Sequence, residues 1–531
     1  LTVWVWCAAL AAAGCAPGAQ PPEDAGAAPD AATRGDASTD EPDAADELDV
    51  LAVAVAGDEV VAEVSERYLS FAIDVAQVVG GVFWSPGGGV EGGVGTTRVP
   101  PYDFTSSRVR VLAGALAPTM MRIGGSEADR IYYDLSDDPG EAPEGFEEVL
   151  TRAQWDGMAD FARELDIELF FTLNAGPGWR AEPGGPWDPE GVRELITYAE
   201  GRGDPVVVWE LGNEINAFPA IHGLEGRVTA AQYVEDVRAA RGLLDELGVD
   251  GWLAGPSSAF WPRAGEINPI YEDFMELGGG ASLDLITWHY YPQQSTRCPA
   301  ASRRAIPETM LNVINLNEAA QWAEQVEAAR DLHAPGTPVW LGESGHAQCG
   351  GQPGVSDTYA SGFWWLDQLG LLARRRQGVL IRQTLSGSDY GMLDDVTLEP
   401  RPDYWTALLW RRLMGTKVLD ATSAESGRMR AWSHCMRGVP GGVAVAWIHL
   451  DRERSGVLEV QGVAGDGALY ALTAPELTSP TVDLNGETLA LGEQDALPAL
   501  EGAPMEGNRA TVPPTSYGFV VFPQADAAAC R

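Results

Sequence analysis

The sequence predicts a (β/α)8 TIM barrel with a C-terminal β-sandwich that also takes up N-terminal strands. Three observations carry this. Short apolar runs alternate with amphipathic stretches eight times between Tyr68 and Thr384, the rhythm of a barrel with long loops. Several of those runs end in a polar or charged residue, and barrels of this kind carry their chemistry at the C-terminal strand ends. After about Gly415 the pattern changes to short alternating strands, as in a sandwich.

Taken in order, residues 68–74 read as a first strand ending in Asp74, followed by a Gly-rich loop from Gly80 to Gly95. Residues 120–125 and 168–174 read as the second and third strands. The fourth, 206–214, is an apolar β-branched run ending in Gly212-Asn213-Glu214. Residues 252–256 make a short fifth and 284–291 a sixth. The seventh, 339–343, ends in Leu341-Gly342-Glu343, and 379–384 make the eighth. The fourth and seventh both run from Trp through Leu-Gly to a terminal Glu. Two carboxylates facing each other across a barrel mouth are what glycoside hydrolysis needs. Alternation puts Glu210 on the same side as Glu214 but deeper. Its expected role is structural, as a buried partner of Arg122 or Arg382.

Helices fit between the strands. Tyr233, Val237, Leu244 and Leu247 recur at helical spacing, with Gly248 placed as a C-terminal cap. Ala319, Trp322, Val326 and Ala329 form a second stripe. Beyond the barrel, residues 443–450, 468–472 and 517–522 read as strands. Residues 482–489 read as a hairpin with an Asn485-Gly486 turn.

The expected domains are a lipoprotein-type signal at 1–15, a disordered acidic linker at 16–50 and N-terminal strands at 51–66. The catalytic barrel then occupies 67–415 and the sandwich 416–531. Ala12-Ala13-Gly14-Cys15 resembles a bacterial lipoprotein cleavage box. By that resemblance Cys15 carries lipid, which predicts an extracytoplasmic, membrane-anchored protein. The linker is rich in Ala, Pro, Asp and Glu and cannot bury enough apolar surface to fold. The net charge is −42, of which the linker accounts for −9. A body this acidic is a poor nucleic-acid binder. It is also a poor match for a long sulfated polyanion unless it carries a local basic groove, and Arg297, Arg303 and Arg304 are the only candidates. Besides Cys7 and Cys15 there are Cys298, Cys349, Cys435 and Cys530. Four cysteines allow three pairings in an oxidising compartment. There is no CxxC pair and the histidines are scattered, so neither a metal nor a cofactor is expected. A monomer is expected.

An ordered set of motifs then points to a family: residues 339–343, 356–370 (from Ser356-Asp357-Thr358-Tyr359), Arg382-Gln383, Pro402-Asp403-Tyr404-Trp405 and residues 415–419. With these, the chain from about Tyr68 to Arg531 resembles the heparanase and β-glucuronidase family, glycoside hydrolase family 79, a clan A retaining family. The resemblance implies Glu214 as general acid/base with Asn213 beside it, and Glu343 as nucleophile. It implies Asp74, Gln383, Tyr390 and Tyr291 as residues that hold the sugar. Gly350 and Gly351 would offer backbone amides to a uronate carboxylate, and Cys435 would pair with Cys530. Cys298 and Cys349 are then expected to bridge the cleft rim, a feature the family does not suggest. The expected activity is exo-β-glucuronidase. The alternatives are an endo-β-glucuronidase acting on heparan sulfate-type chains and a surface lipoprotein that binds glycans without cleaving them.

Overall fold

The computed structural model describes residues 49–87, 95–423 and 428–531. The signal-like segment, Cys15 and nearly all of the acidic linker lie outside these residues, as does the tip of the Gly-rich loop. Among the described residues no helix is long and apolar enough to cross a membrane.

All eight expected barrel strands form: β1 (Leu69–Asp74), β2 (Thr119–Gly124), β3 (Ile167–Leu173), β4 (Val206–Leu211), β5 (Trp252–Trp261), β6 (Leu285–Tyr290), β7 (Val339–Ser344) and β8 (Leu380–Arg382). Each pairs in parallel with the next, and β8 pairs with β1 to close the ring. The barrel floor is apolar, with Ala72, Met120, Phe170, Val208, Leu285, Trp340 and Ile381 packed together. Two residues further along three of these strands the next inward positions are polar: Arg122, Thr172 and Glu210. This is the layered filling of a small barrel, with its polarity rising towards the C-terminal mouth.

Helices α1 (Ser107–Ala115), α2 (Arg152–Glu164), α3 (Glu190–Arg202), α4 (Ala230–Leu247), α5 (Tyr271–Glu276), α6 (Val313–His333), α7 (Ala360–Arg374) and α8 (Pro402–Leu413) follow the eight strands in turn. The starts of α1, α2, α4 and α6 are capped by side chains that satisfy free backbone donors. Thr151 and Gln154 form a capping box on α2, Thr229 caps α4 and Asn312 caps α6. Gly248 ends α4 at φ 69°, as its position predicts.

The C-terminal strands are β9 (Met414–Ser423), β10 (Met429–Met436), β11 (Val443–His449), β12 (Gly456–Gln461), β13 (Gly467–Thr473), β14 (Arg509–Val512) and β15 (Ser516–Phe522). They join in one hydrogen-bonded path, β13-β15-β11-β10-β9, then the N-terminal strand Asp49–Glu63, then β12-β14. The N-terminal strand is therefore an interior strand of the sheet, antiparallel to β9 and parallel to β12. One face, with Ala444, Ala446, Tyr517 and Phe519, joins the barrel core. The other, with Val443, Trp447 and Phe522, packs on Leu51, Val53, Leu458 and Val512. Those partners lie far along the same path, so the sheet rolls over to enclose a core of its own. The Asn485-Gly486 hairpin forms with both residues at positive φ. Cys298–Cys349 and Cys435–Cys530 are both bonded, with Cα separations of 5.6 and 5.2 Å.

Candidate active site

A bulge delivers Glu343. Trp340 points into the barrel floor, so strict alternation along β7 would turn Glu343 outward. The register of β7 against β6 and β8 instead slips after Leu341. The extra residue re-aims the carboxyl inward, where Arg122 Nη1 donates to its Oε2 at 2.8 Å and Tyr291 Oη to its Oε1 at 2.6 Å. Glu214 reaches the same space by another route. Strand β4 stops at Leu211, and Gly212 and Glu214 take left-handed φ of 72° and 51°. Ser257 Oγ holds this turn, accepting from Glu214 N at 3.2 Å and donating to Gly212 O at 2.9 Å. Asp129 holds it from the other side, accepting from Asn213 N at 2.9 Å.

Between the two carboxyls stands His289, with Nδ1 3.1 Å from Glu214 Oε1 and 4.0 Å from Glu343 Oε2. One donor atom from each of the three residues lies within 4.8 Å of the others. That spacing would suit a cation, but a cation there would share the pocket with the Arg122 guanidinium. Arg122 itself is fully buried and also donates to Glu210 and to Asn213 Oδ1. Glu210 is completed by Thr172 and Thr287 hydroxyls at 2.9 and 2.8 Å. It is a structural counter-ion, as expected, and Arg122 is its partner. Arg382 pairs with Asp403 instead, at 2.6 Å.

Burial pushes the Glu214 carboxyl up to about 7, the charge of Glu210 adding to the rise and Arg122 opposing it. Desolvation thus outweighs repulsion between carboxylates as the cause. Burial likewise lowers His289 to about 4, so it is neutral near pH 7. Asp74 is pushed up to about 8, chiefly by burial, with Glu343 and Glu127 adding to the rise. It caps a short turn of helix through Ala76 N at 3.0 Å and accepts from Gln383 Nε2 at 3.2 Å. Tyr390 lies beside Gln383, Asp74 and Glu343, and its ring centroid is 6.5 Å from that of Tyr291. Asp74, Asn213, Tyr291, Gln383 and Tyr390 therefore all gather around the two glutamates.

Two expectations change. Gly351 donates its N–H to Ala347 O at 3.2 Å, so that amide is already engaged, and Gly350 is left as the candidate donor of the pair. The basic cluster is not a groove. Arg297 pairs with buried Asp389, Arg303 with Glu318, and Arg304 Nη1 donates to Ser295 O at 2.6 Å. Sequence reading places His289 among the polar strand ends without giving it a role, and it passes over Asp129 and Ser257. His289 was detectable, because it lies two residues before Tyr291 on a strand whose end faces the mouth. Asp129 and Ser257 act through folded turns that no spacing reveals.

A closed (β/α)8 barrel with facing carboxylates at the ends of its fourth and seventh strands defines a TIM-barrel glycoside hydrolase. Residues 101–370 match the model of the glycosyl hydrolase family 79 N-terminal domain, and the chain belongs to that family. It is 30% identical to heparanase of Bos taurus, over 81% of this chain and 87% of the relative. It is also 30% identical to inactive heparanase-2 of Mus musculus, over 72% of this chain and 66% of the relative. Among solved structures, a 4-O-α-L-rhamnosyl-β-D-glucuronidase from Fusarium oxysporum superposes with a TM-score of 0.63. That match is 16% identical and covers 89% of this chain and all of the other, a likeness of fold.

Proposed function

We propose that this glycoside hydrolase is a retaining exo-β-glucuronidase working by double displacement. One observation carries the reading. Glu343 is fixed by Arg122 and Tyr291, while Glu214 stays protonated up to about pH 7, and the two offer oxygens within 4.8 Å of each other. Retaining enzymes hold their carboxyls about 5–5.5 Å apart, and inverting enzymes about 6.5–9.5 Å.

In the first step Glu343 attacks the anomeric carbon as Glu214 gives its proton to the leaving oxygen. A glycosyl-enzyme forms and the aglycone departs. Glu214, now a base, then takes a proton from water, the water oxygen bonds to the anomeric carbon and Glu343 is released. Asp74 is neutral near pH 7 and offers a donor to a sugar hydroxyl beside Gln383 and Tyr390. Recognition of the uronate falls to the Gly350 segment. The ion pairs that Arg297 and Arg303 make inside the protein favour exo action, because among the described residues they leave exposed Arg304 as the one cation of that cluster open to a polyanion. Similarity to a heparanase supports endo action as the second reading. Two disulfides suit an extracytoplasmic location, in keeping with lipid attachment at Cys15.

The test is hydrolysis of 4-nitrophenyl β-glucuronide and of short glucuronate-capped glycans, with products sized. Free glucuronate is expected. Internal fragments would favour the endo reading, and no turnover of any substrate would favour glycan binding without cleavage.

A further inference from the structure

Four βα loops meet at one guanidinium. Arg297, in the loop after β6, is 4% exposed. Its Nη1 donates to Gly351 O at 3.0 Å and lies 3.5 Å from both Cys349 O and Ser388 Oγ. Its Nη2 donates to Ser85 O at 2.8 Å and pairs with Asp389. Asp389 Oδ1 accepts from Gly87 N at 3.0 Å, and Asp389 N donates to Gly350 O at 3.0 Å. The loops after β1, β6, β7 and β8 therefore share one centre. The Cys298–Cys349 bond ties the residue after Arg297 to the residue before Gly350.

This centre has a directional consequence. In a trans peptide the C=O and the following N–H point opposite ways. With Cys349 O turned towards Arg297, the Gly350 N–H is turned away from it. With Gly350 O held by Asp389, the Gly351 N–H is turned away from Asp389 and closes on Ala347 O. The segment needs left-handed backbone, φ 78° at Gly350 and 84° at Gly351, which glycine adopts without strain. It is also tightly threaded. A Cβ on Gly350 would lie 2.5 Å from Trp84 Cβ, and one on Gly351 would lie 2.6 Å from Tyr390 N. A buried ion pair alone would require only Asp389. The contacts to the carbonyls of Gly351, Cys349 and Ser85 add an alignment of backbone next to the aromatic wall of Phe83, Tyr291 and Tyr390.

We infer that Arg297 is a positioning residue that sets specificity at C6 of the sugar. It fixes the Gly350 amide and the Tyr390 backbone to favour a carboxylate over a hydroxymethyl group, without touching the sugar. The inference rests on the glucuronide reading above.

The test compares Arg297→Met and Arg297→Lys with wild type on 4-nitrophenyl β-glucuronide and 4-nitrophenyl β-glucoside, with melting temperatures alongside. Arg297→Lys keeps a charge for Asp389 but not the planar fork that reaches several carbonyls, so it carries the test if Arg297→Met does not fold. In both variants the glucuronide-to-glucoside ratio of kcat/KM is expected to fall about tenfold, the worth of one well-made hydrogen bond. The fall should come through KM for the glucuronide, with kcat for the glucoside retained. An unchanged ratio in Arg297→Lys, or an equal fall on both substrates, overturns the inference and leaves the glucuronide reading standing. A wild-type protein with no preference for the glucuronide overturns that reading, and the inference with it.

Discussion

Arg122 holds the nucleophile and its structural neighbour at once, since its guanidinium bonds both Glu343 and Glu210 with no exposed side-chain surface. Arg122→Met would strand two buried carboxylates, a loss of about 3–5 kcal/mol for a broken buried pair. A melting curve checks the stability and a glucuronide assay the loss of turnover. Arg122→Lys places a single point charge where a fork is needed, so it should fold better and still turn over poorly. Glu214 sets the alkaline limb. Its carboxyl, raised to about 7, must be protonated to act as acid, so kcat/KM should fall tenfold per pH unit above about 7. Glu214→Gln should lose about 10²–10⁴-fold on unactivated substrates and should lose that limb as well. A limb that persists in the variant would assign it to another group. Stability runs the same way. The folded pKa lies above the unfolded one, so the folded state holds a proton that the unfolded chain has released. The protein therefore loses stability as pH rises from the ordinary carboxylate range to about 7, and Glu214→Gln should raise the melting temperature more at pH 8 than at pH 4.

Strands carry the catalytic pair because β4 ends in a left-handed turn and β7 slips in register, each re-aiming its glutamate. Gly125, just past β2, has φ 95°, and a Cβ there would collide with Asp74 Oδ2. Gly125→Ala should therefore displace Asp74 and raise KM for the glucuronide while the barrel still folds, read by kinetics and far-ultraviolet circular dichroism. Hydrophobic periodicity made the eight strands legible, because each buried run is bounded by polar turns. It failed where the chain departs from regular geometry. β5 reads as ending at Pro256 yet runs to Trp261. Proline ordinarily demotes a strand, but here the register slips past Ser257, which has φ 46°, and pairing resumes. The same departure, a residue at positive φ, makes Ser257 the clasp for Glu214. Glu214 and Glu343 were legible as strand ends. Asp129, Ser257 and the hub at Arg297 were not, because they act through hydrogen bonds between distant loops. The arginines after β6 look like a basic patch in sequence, yet Arg297 and Arg303 become internal struts in the fold and Arg304 alone stays exposed.

Across the whole molecule the sheet and the barrel share one core, with α7 as the common wall. Nearly every residue of α7 is buried, which a helix exposed to solvent on one face would not be. Two glycines let the sheet approach. A Cβ on Gly362 would collide with the Tyr517 phenol, and one on Gly370 with the Trp432 ring. Arg430 of β10 closes the seam with a buried ion pair to Asp367 of α7 at 2.7 Å. A barrel stripped of residues 414–531 would expose this wall, so the two parts should melt together. Calorimetry of the oxidised chain is expected to give one transition. The Cys435–Cys530 bond spans 95 residues and fastens β10 to the chain end. Removing such a bond costs about 2–5 kcal/mol. Cys435→Ser with Cys530→Ser should therefore lower that single transition and take glucuronide hydrolysis with it on heating, although Glu214 and Glu343 lie in the other half of the molecule. Two separate transitions, with activity lost only at an unshifted upper one, would mean that the sheet is an independent domain and that α7 belongs to the barrel alone.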